Sequence, residues 1–280
     1  MTQVKNIFSE DEMRFYEEIY RCESCSHLTY PDGVHPFAAR DSHDGQTIPV
    51  SHFGNIKSAL VWLLLTNPKG NRQDTNVGLE AQRFAANRGA LNQEDILKIF
   101  EHFSNYDFRT SSSEFWEPWL SLLDDIKVGE KQLRFDSGGI CAVDWIKCPT
   151  KTGWRSFVME DEGKQVWANC DRFQEQIGHR YLKRQIELHK PLILIRPKSV
   201  LQGKGTSELL GEKVKELEYL IEAPSINYVK NVRCSSMRKC LTIEVSNTGS
   251  IKELSRDTKL RDRSRSTIQQ IISKWIGVDM

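Results

Sequence analysis

Four short apolar runs constrain the fold of this chain more than any other feature. They cover residues 59–65, 140–147, 192–195 and 241–245. Each run ends in turn-forming or polar residues, and continuous apolar runs of this length are typical of strands that are buried on both faces. Helical patterns lie between the runs. This order of elements predicts an α/β fold with a parallel sheet.

The helices around these strands follow from capping and periodicity. Ser9 and Glu12 have the spacing of a capping box, which predicts a helix through Tyr20. Apolar and aromatic residues recur at helical spacing in 78–126, and we interpret them as core, with a base-stacking surface as the alternative. Amphipathic patterns predict three further helices, over about 164–188, 206–220 and 266–276.

Composition excludes several classes of protein. The chain has 280 residues, of which 39% are hydrophobic and 28% are charged, as in an ordinary soluble protein with one sizeable core. No apolar run approaches the ~20 residues that span a bilayer, and the first residues do not form a signal peptide. The net charge of +1 gives no overall attraction to nucleic acid or anionic lipid. We therefore expect a cytoplasmic protein with no membrane partner and no obligate protein partner.

Asp144 and Cys148 lie near the end of the second apolar run. A carboxylate and a thiol at the exit of a buried strand are costly to bury without partners. Ligands of parallel sheets bind at the carboxyl ends of the strands. The polar residues at those ends are Asn67, Asp144, Arg196 and Asn247. The asparagines also suit turns, whereas Asp144 fits a turn least because it lies inside the apolar run.

The chain has seven cysteines, an odd number that argues against a disulfide framework in a reducing compartment. Cys22 and Cys25 form a C-x-x-C pattern. Two thiols at this spacing could bind one metal centre, or they could be unrelated.

Four features, taken in order, resemble the uracil-DNA glycosylase superfamily, and its iron–sulfur branch in particular. The resemblance spans most of residues 20–276 and depends on the joint order and spacing of its motifs. The motifs are Cys22-x-x-Cys25, then Phe53-Gly-Asn-Ile-Lys-Ser-Ala59 with a strand and Asn67-Pro-Lys-Gly70, then Asp144-Trp-Ile-Lys-Cys148-Pro, and finally Cys170 on a helix leading to Pro191-Leu-Ile-Leu-Ile195.

The resemblance implies a fold and a cofactor. The fold would be a three-layer α/β sandwich around a central, mainly four-stranded parallel sheet, forming a single domain over residues 1–280. Residues 1–30 would pack on the core, and a helical insertion would occupy about 71–135. A structural [4Fe–4S] cluster, with zinc as the alternative and no metal as the third possibility, would be held by four thiolates. These are Cys22, Cys25, Cys148 and Cys170.

The chain departs from the family pattern at the residues that would contact the base. Asp144 stands where the family has a base-reading Asn, and Ser246-Asn247-Thr248 stands in place of a His-Pro pair. An Asn reads uracil by donating to O4 and accepting from N3–H, whereas an ionised Asp can only accept and suits the exocyclic amine of cytosine. A protonated Asp144 could instead donate to N3 or assist the departure of the base. The other interpretation is that Asp144 caps backbone amides or pairs with Lys147 or Arg196.

The resemblance and the Asn-to-Asp change together predict a DNA glycosylase. It would flip and hydrolytically excise a modified or hypermodified cytosine, as in foreign phage DNA, and leave an abasic site. The alternatives are a uracil-DNA glycosylase of base-excision repair and a non-catalytic iron–sulfur protein that binds nucleic acid.

The same resemblance assigns roles to residues of the second and last motifs. Asn67 would orient the attacking water, with Asp74 as a second candidate for that role or as a solvated loop carboxylate. Asn247 or Ser246 would donate a hydrogen bond to O2 of the departing base. Pro68 and Ser246 would line the base pocket together with Asp144.

Residues 228–265 carry ten basic and four acidic side chains, although the net charge of the whole chain is only +1. Such a patch would follow the phosphates of DNA or would form a solvated helix face. The predicted DNA contacts are Lys69, Arg196, Lys198, Arg233, Arg238, Lys239, Lys252 and Arg256.

Overall fold

The computed structural model describes residues 8–25, 48–65, 88–108, 116–135, 138–148, 165, 181–197, 226–234, 238–245 and 256–279. The α-helices within them are α1 (Glu10–Tyr20), α2 (Gln93–Ser104), α3 (Glu117–Leu123), α4 (Leu182–His189) and α5 (Thr258–Asp279), with a 3₁₀ turn at Arg88–Ala90. The strands are β1 (Val61–Leu65), β2 (Lys127–Val128), β3 (Lys131–Gln132), β4 (Ile140–Asp144), β5 (Ile193–Pro197), β6 (Ile226–Cys234) and β7 (Arg238–Val245). The helix predicted over 206–220 lies outside the described residues.

Five strands form one sheet in the order β4-β1-β5-β7-β6. The β1–β5 and β5–β7 pairs are parallel, and β4 beside β1 completes a parallel set of four. β6 runs antiparallel to β7 at the far edge. The predicted α/β fold with a four-stranded parallel sheet is therefore confirmed, and each apolar run forms one of its strands. The three-layer, glycosylase-like arrangement stays a prediction.

The two strands at the β4 side of the sheet are buried along their whole length. Every residue of β1 and of β4 is buried, as continuous apolar runs require. β4 ends at Asp144, so the strand predicted over 140–147 was three residues too long. Beyond the strand, the backbone N–H of Val50 donates to the carbonyl of Lys147, at 2.6 Å.

Three predicted helical segments differ from the structure. The insertion predicted as helical over 71–135 contains a β-hairpin, β2–β3, in its last part. A continuous helix over 164–188 is wrong at Tyr181, which lies in a turn before α4 begins. The last helix begins at Thr258, earlier than predicted, because the Asp257 carboxylate accepts from the backbone N–H of Leu260 at 3.0 Å and caps it.

β6 was not predicted at all. Its sequence has no continuous apolar run, and its register shifts between Tyr228 and Asn231. An antiparallel edge strand needs only one apolar face, so its pattern is much weaker than that of a strand buried on both faces.

The chain divides into two compact units, each built from three separate segments. The first unit comprises Met1–Ser51, Asn67–Ser104 and Asp144–Tyr181, and the second comprises His52–Thr66, Asn105–Val143 and Leu182–Met280. The prediction of a single domain stays a prediction.

Packing of α1 on α2 organises the described part of the first unit. The predicted capping box is confirmed: the Ser9 hydroxyl accepts from the Glu12 N–H at 3.2 Å, and the Glu12 carboxylate accepts from the Ser9 N–H at 2.8 Å. The buried face of α1 meets α2 through aromatic rings, with the ring of Phe100 lying 4.5 Å from Phe8 and 4.7 Å from Tyr16, centroid to centroid.

The second unit holds a cluster of aromatic side chains beside the sheet. Phe108 packs edge-on against Trp116 and Phe135, with ring centroids 4.8 and 4.7 Å apart. The Trp116 indole N–H donates to the Tyr106 hydroxyl at 3.2 Å. Trp116 and Trp119 are both buried. These aromatic residues therefore form core, as predicted, and not an exposed surface for base stacking.

No helix in the described part of the chain is both long enough and apolar enough to span a membrane.

Candidate functional site

The side chain of Asp144 is the candidate functional group. It is the last residue of β4, and only 1% of it is exposed. Neither of its carboxylate oxygens has a hydrogen-bond partner among the described residues. A buried polar group without a partner costs about 1–3 kcal/mol, so each one calls for an explanation, such as a bound ligand, an ion or an ordered water. Asp144 therefore marks a place where a ligand could supply the missing hydrogen bonds.

Burial also changes the acidity of Asp144. Loss of hydration raises the pKa of its carboxyl to about 7, and the positive charge of Lys147 acts in the opposite direction. At neutral pH the side chain is thus present in both its protonated and its ionised form. Such a carboxyl can donate a proton as well as accept a hydrogen bond, which an ordinary surface aspartate cannot do at this pH.

Lys147 lies beside Asp144 and is buried to the same extent, with 1% of the residue exposed. Its ammonium donates to the backbone carbonyl of Asp144 at 2.6 Å and to that of Ser51 at 3.3 Å. The Asp144 carboxylate receives no hydrogen bond from it. In the described part of the chain, the Asp144 carboxylate therefore forms no hydrogen-bonded pair with Lys147, and it does not cap backbone amides. The side chain of Arg196 lies outside that part.

A second hydrogen bond connects this region to the end of α1. The hydroxyl groups of Tyr20 and Ser51 lie 2.6 Å apart, and both residues are buried. Burial raises the pKa of the Tyr20 phenol, and the bond to Ser51 lowers it by less, so the phenol is neutral at physiological pH. We call Tyr20, Ser51, Asp144 and Lys147 the buried polar cluster. All four belong to the first compact unit.

The sequence interpretation missed Tyr20 and Ser51. Two local features are visible in the sequence. Ser51 interrupts a short apolar segment, and Tyr20 lies one turn after Tyr16 on the apolar face of α1. Neither signal indicates the partner, because the two residues are separated by 31 positions in sequence.

Three of the four predicted metal ligands are described residues, and all three belong to the first unit. Cys22 and Cys25 follow α1, Cys148 follows Lys147, and Cys25 and Cys148 are buried. Within the described ranges, no three or more histidine, cysteine, aspartate or glutamate residues are grouped so that they could hold a metal ion. Cys170, the fourth predicted ligand, lies outside the described residues. The four-thiolate centre stays a prediction, and no chemical step is assigned to it.

Several other predicted site residues also fall outside the described part of the chain, so the structure does not place them relative to Asp144. The predicted catalytic and base-contacting residues in this group are Asn67, Pro68, Asp74, Ser246 and Asn247. The predicted DNA contacts in this group are Lys69, Lys198 and Lys252.

The turn before β1, which carries the start of the second motif, is described in full. The backbone of Phe53 exchanges two hydrogen bonds with Ala142 of β4, at 2.8 and 2.9 Å. Gly54 adopts a φ of +85°, and a Cβ there would lie 2.9 Å from the Phe108 ring. The side-chain oxygen of Asn55 then accepts from the Ser58 N–H at 3.2 Å. This segment holds the chain against β4 before it enters β1.

Three predicted DNA contacts meet at one end of the β6–β7 pair. Arg233 of β6 is in register with Lys239 of β7, and the next pair is Cys234 with Arg238. The antiparallel pairing that the sequence interpretation missed thus brings the backbone positions of Arg233, Arg238 and Lys239 together. Arg196 on β5 is in register with Glu244 on β7.

The basic residues in the first turns of α5, together with Arg256 just before the helix, form two groups. Arg256, Lys259 and Arg263 are exposed. Lys259 and Arg263 are four residues apart within α5 and therefore lie on one side of it, whereas Arg256 precedes the helix. Arg261 lies 3.5 Å from the Asp262 carboxylate, and Arg265 donates to the backbone carbonyl of Ser121, at the end of α3. The residues of the first group are the more exposed of the two, whereas Arg261 and Arg265 are half-buried.

Comparison of the chain with models of known protein families finds no match, and comparison with curated proteins finds none either. The resemblance to uracil-DNA glycosylases therefore stays an interpretation of sequence motifs. The structural evidence that bears on function is the buried Asp144 and its surroundings.

Proposed function

We propose that this protein is a DNA glycosylase that excises a modified cytosine and that Asp144 recognises the base. The observation that carries the proposal is the buried Asp144 carboxyl, which has no hydrogen-bond partner among the described residues and ends a strand of a parallel sheet. Ligands of α/β proteins bind at this end of the strands. The edge of a flipped base offers the donors and acceptors that such a carboxyl lacks.

The raised pKa of Asp144 favours cytosine as the base. A protonated carboxyl can donate to N3 of cytosine while its second oxygen accepts from the exocyclic amine. Transfer of the proton to N3 makes cytosine, which leaves less readily than uracil, a better leaving group. An Asn at this position could read uracil but could not supply a proton. The Asn-to-Asp departure thus adds the acid that excision of a cytosine needs.

The proposed reaction balances without any other reactant than water. The bond between C1′ and the base nitrogen breaks, and its electron pair goes to the base, which already carries the proton from Asp144. Water adds to C1′ of the oxocarbenium-like sugar and loses a proton, which restores the Asp144 carboxyl. The products are the free base and an abasic site. The exposed basic residues before and along α5 would hold the DNA backbone through its phosphates.

The test is a glycosylase assay with the full-length protein on a panel of oligonucleotides. The panel contains uracil, cytosine, 5-methylcytosine, 5-hydroxymethylcytosine or a glycosylated hydroxymethylcytosine at one position, and abasic products are cleaved with alkali. We expect strand cleavage with at least one modified cytosine. Release of uracil alone would contradict the choice of base. Binding of DNA without any product would contradict catalysis and would favour the non-catalytic alternative.

The matched variant is Asp144→Asn, which keeps the size of the side chain but cannot deliver a proton. Loss of a general acid typically costs about 10²–10⁴-fold in rate, so we expect a loss of this order on modified cytosine. An unchanged rate in D144N would show that Asp144 is not the acid.

A further inference from the structure

Lys147 has no role in the reaction as described so far, yet it is one of few buried charged residues in the described part of the chain. Transfer of an ammonium ion out of water costs several kcal/mol unless hydrogen bonds replace its hydration. Two of its donors are used by the carbonyls of Asp144 and Ser51. The ammonium thus joins the end of β4 to a segment that lies 96 positions away in sequence.

The backbone carbonyl and the side-chain carboxyl of Asp144 differ in their hydrogen bonding. The carbonyl of Asp144 is held at 2.6 Å by the Lys147 ammonium, while its carboxylate oxygens make no hydrogen bond within the described residues. A direct ion pair would have occupied the carboxylate and kept it from a base. Bonding to the carbonyl instead leaves the carboxyl available and keeps a positive charge nearby.

We propose that Lys147 is a positioning residue for Asp144. Its ammonium fixes the end of β4 through the Asp144 carbonyl and places a positive charge near the carboxyl that delivers the proton. The inference rests on the proposed glycosylase function for its catalytic meaning. The contact between the two residues does not depend on that function.

The charge of Lys147 matters because burial alone would make Asp144 too weak an acid. Loss of hydration favours the neutral carboxyl, and a nearby cation favours the ionised one. An acid is most effective when its pKa lies near the working pH. The other titratable member of the buried polar cluster, Tyr20, is neutral, so within that cluster Lys147 supplies the charge that acts on Asp144.

The test compares Lys147→Gln, which keeps a hydrogen-bond donor but loses the charge, with Lys147→Arg, which keeps both. Rates on the modified cytosine substrate are measured from pH 5 to 9, and the Asp144 carboxyl is titrated by ¹³C NMR, with D144N used to assign its signal. In the wild type, activity should fall as pH rises through about 7, because the acid form is lost. In K147Q this fall and the NMR titration should both move up by about one pH unit or more, as expected for loss of an adjacent opposite charge. In K147R both should stay near the wild-type values.

A K147Q protein with a lower rate but an unmoved pH profile and an unmoved Asp144 titration would overturn the inference, because a merely structural lysine would behave in this way. If the wild type excises no base from the panel, the proposed function fails, while the NMR titration still tests the effect of Lys147 on Asp144. If K147Q does not fold, the K147R variant provides the test. A folded K147R whose activity profile and Asp144 titration both move up by about one pH unit would overturn the inference, because the charge is retained in this variant.

Discussion

A buried carboxyl that prefers to be protonated makes the stability of the protein depend on pH. The folded-state pKa of Asp144 is about 7, and that of an unfolded Asp is about 3.9. The protonated form is therefore favoured by folding, and its contribution to stability is complete below about pH 4 and is lost as pH rises through about 7. The burial that would prepare this carboxyl to deliver a proton thus also makes folding sensitive to pH.

The first prediction is that Asp144→Asn removes this dependence. The free energy of unfolding of D144N, relative to that of the wild type, should increase between pH 4 and pH 7 and then become constant. Each pKa unit is worth about 1.4 kcal/mol, so the full change should be a few kcal/mol. Urea denaturation at a series of pH values measures it. Asp11→Asn, which alters an exposed carboxyl of α1, is the control. A difference that does not vary with pH would contradict the prediction.

The second prediction concerns Gly54, where the backbone φ is +85° and an added Cβ would lie 2.9 Å from the Phe108 ring and 3.1 Å from the carbonyl of Ile140. Gly54→Ala should therefore combine backbone strain with a steric clash, and should destabilise the protein by more than about 2 kcal/mol. Urea denaturation of the variant measures the loss.

Gly129→Ala is the matched control for Gly54. Its φ is +62°, but no atom lies within 4 Å of the added Cβ, so only the strain of about 1 kcal/mol should remain. Equal losses in G54A and G129A would show that the contact with Phe108 and Ile140 does not matter.

For single residues, the sequence indicated Asp144, with Lys147 as a candidate neighbour, but it did not indicate Ser51 or Tyr20. Asp144 was recognisable because a carboxylate inside an apolar run is unusual whatever the fold. The hydrogen bonds of Lys147 with Ser51, and of Ser51 with Tyr20, join residues 96 and 31 positions apart. No local pattern encodes such pairs, because they exist only once distant segments have packed together.

Among the elements, the capping box at Ser9 correctly predicted the start of α1. Asn92 and Asp95 form a second reciprocal pair at the start of α2, with both hydrogen bonds at 3.0 Å, but this local signal was not used in the prediction. β6 is the opposite case. Its position depends on pairing with β7, so its own sequence does not carry the apolar run that marks the other strands.

The third prediction tests the α1 cap. Ser9→Ala should destabilise the protein by about 1 kcal/mol, because the Glu12 N–H at the first turn loses its acceptor. The change is read from the midpoint of urea denaturation. Glu12→Gln should retain most of the stability, because Gln can complete a capping box as Glu does. If E12Q were as destabilising as S9A, the charge of Glu12 and not its hydrogen bond would be responsible.

For the molecule as a whole, charge is distributed unevenly along the chain. The net charge is +1, whereas residues 228–265 have ten basic and four acidic side chains. In the described part of that stretch, Arg256, Lys259 and Arg263 are exposed, and the last two lie on one side of α5. A protein with a small net charge can in this way still present a local surface that attracts phosphate.

The fourth prediction is that binding to duplex DNA weakens with salt and depends on these exposed basic residues. The double variant Arg256→Ala, Arg263→Ala should bind more weakly, and the slope of log affinity against log salt concentration should fall by about 0.9 for each phosphate that the variant no longer neutralises. Fluorescence anisotropy over a salt series measures the slope. Lys98→Ala on α2, an exposed lysine paired with Glu94, is the control. An unchanged slope in the double variant would place the DNA elsewhere.

The order of apolar runs and helices was sufficient to predict the α/β class, because a parallel sheet needs that alternation. The division of the chain into two units was not predictable, since it depends on which distant segments pack together.

The interleaving of the two units has a consequence for synthesis on the ribosome. The first unit draws its last segment from Asp144–Tyr181, and the second unit starts at His52 but needs Leu182–Met280. The earlier segments of the second unit are therefore translated before the remaining segments of the first unit, and the second unit is still incomplete at that stage. β5, β6 and β7 all belong to the final segment, so the sheet cannot be assembled until most of the chain has left the exit tunnel.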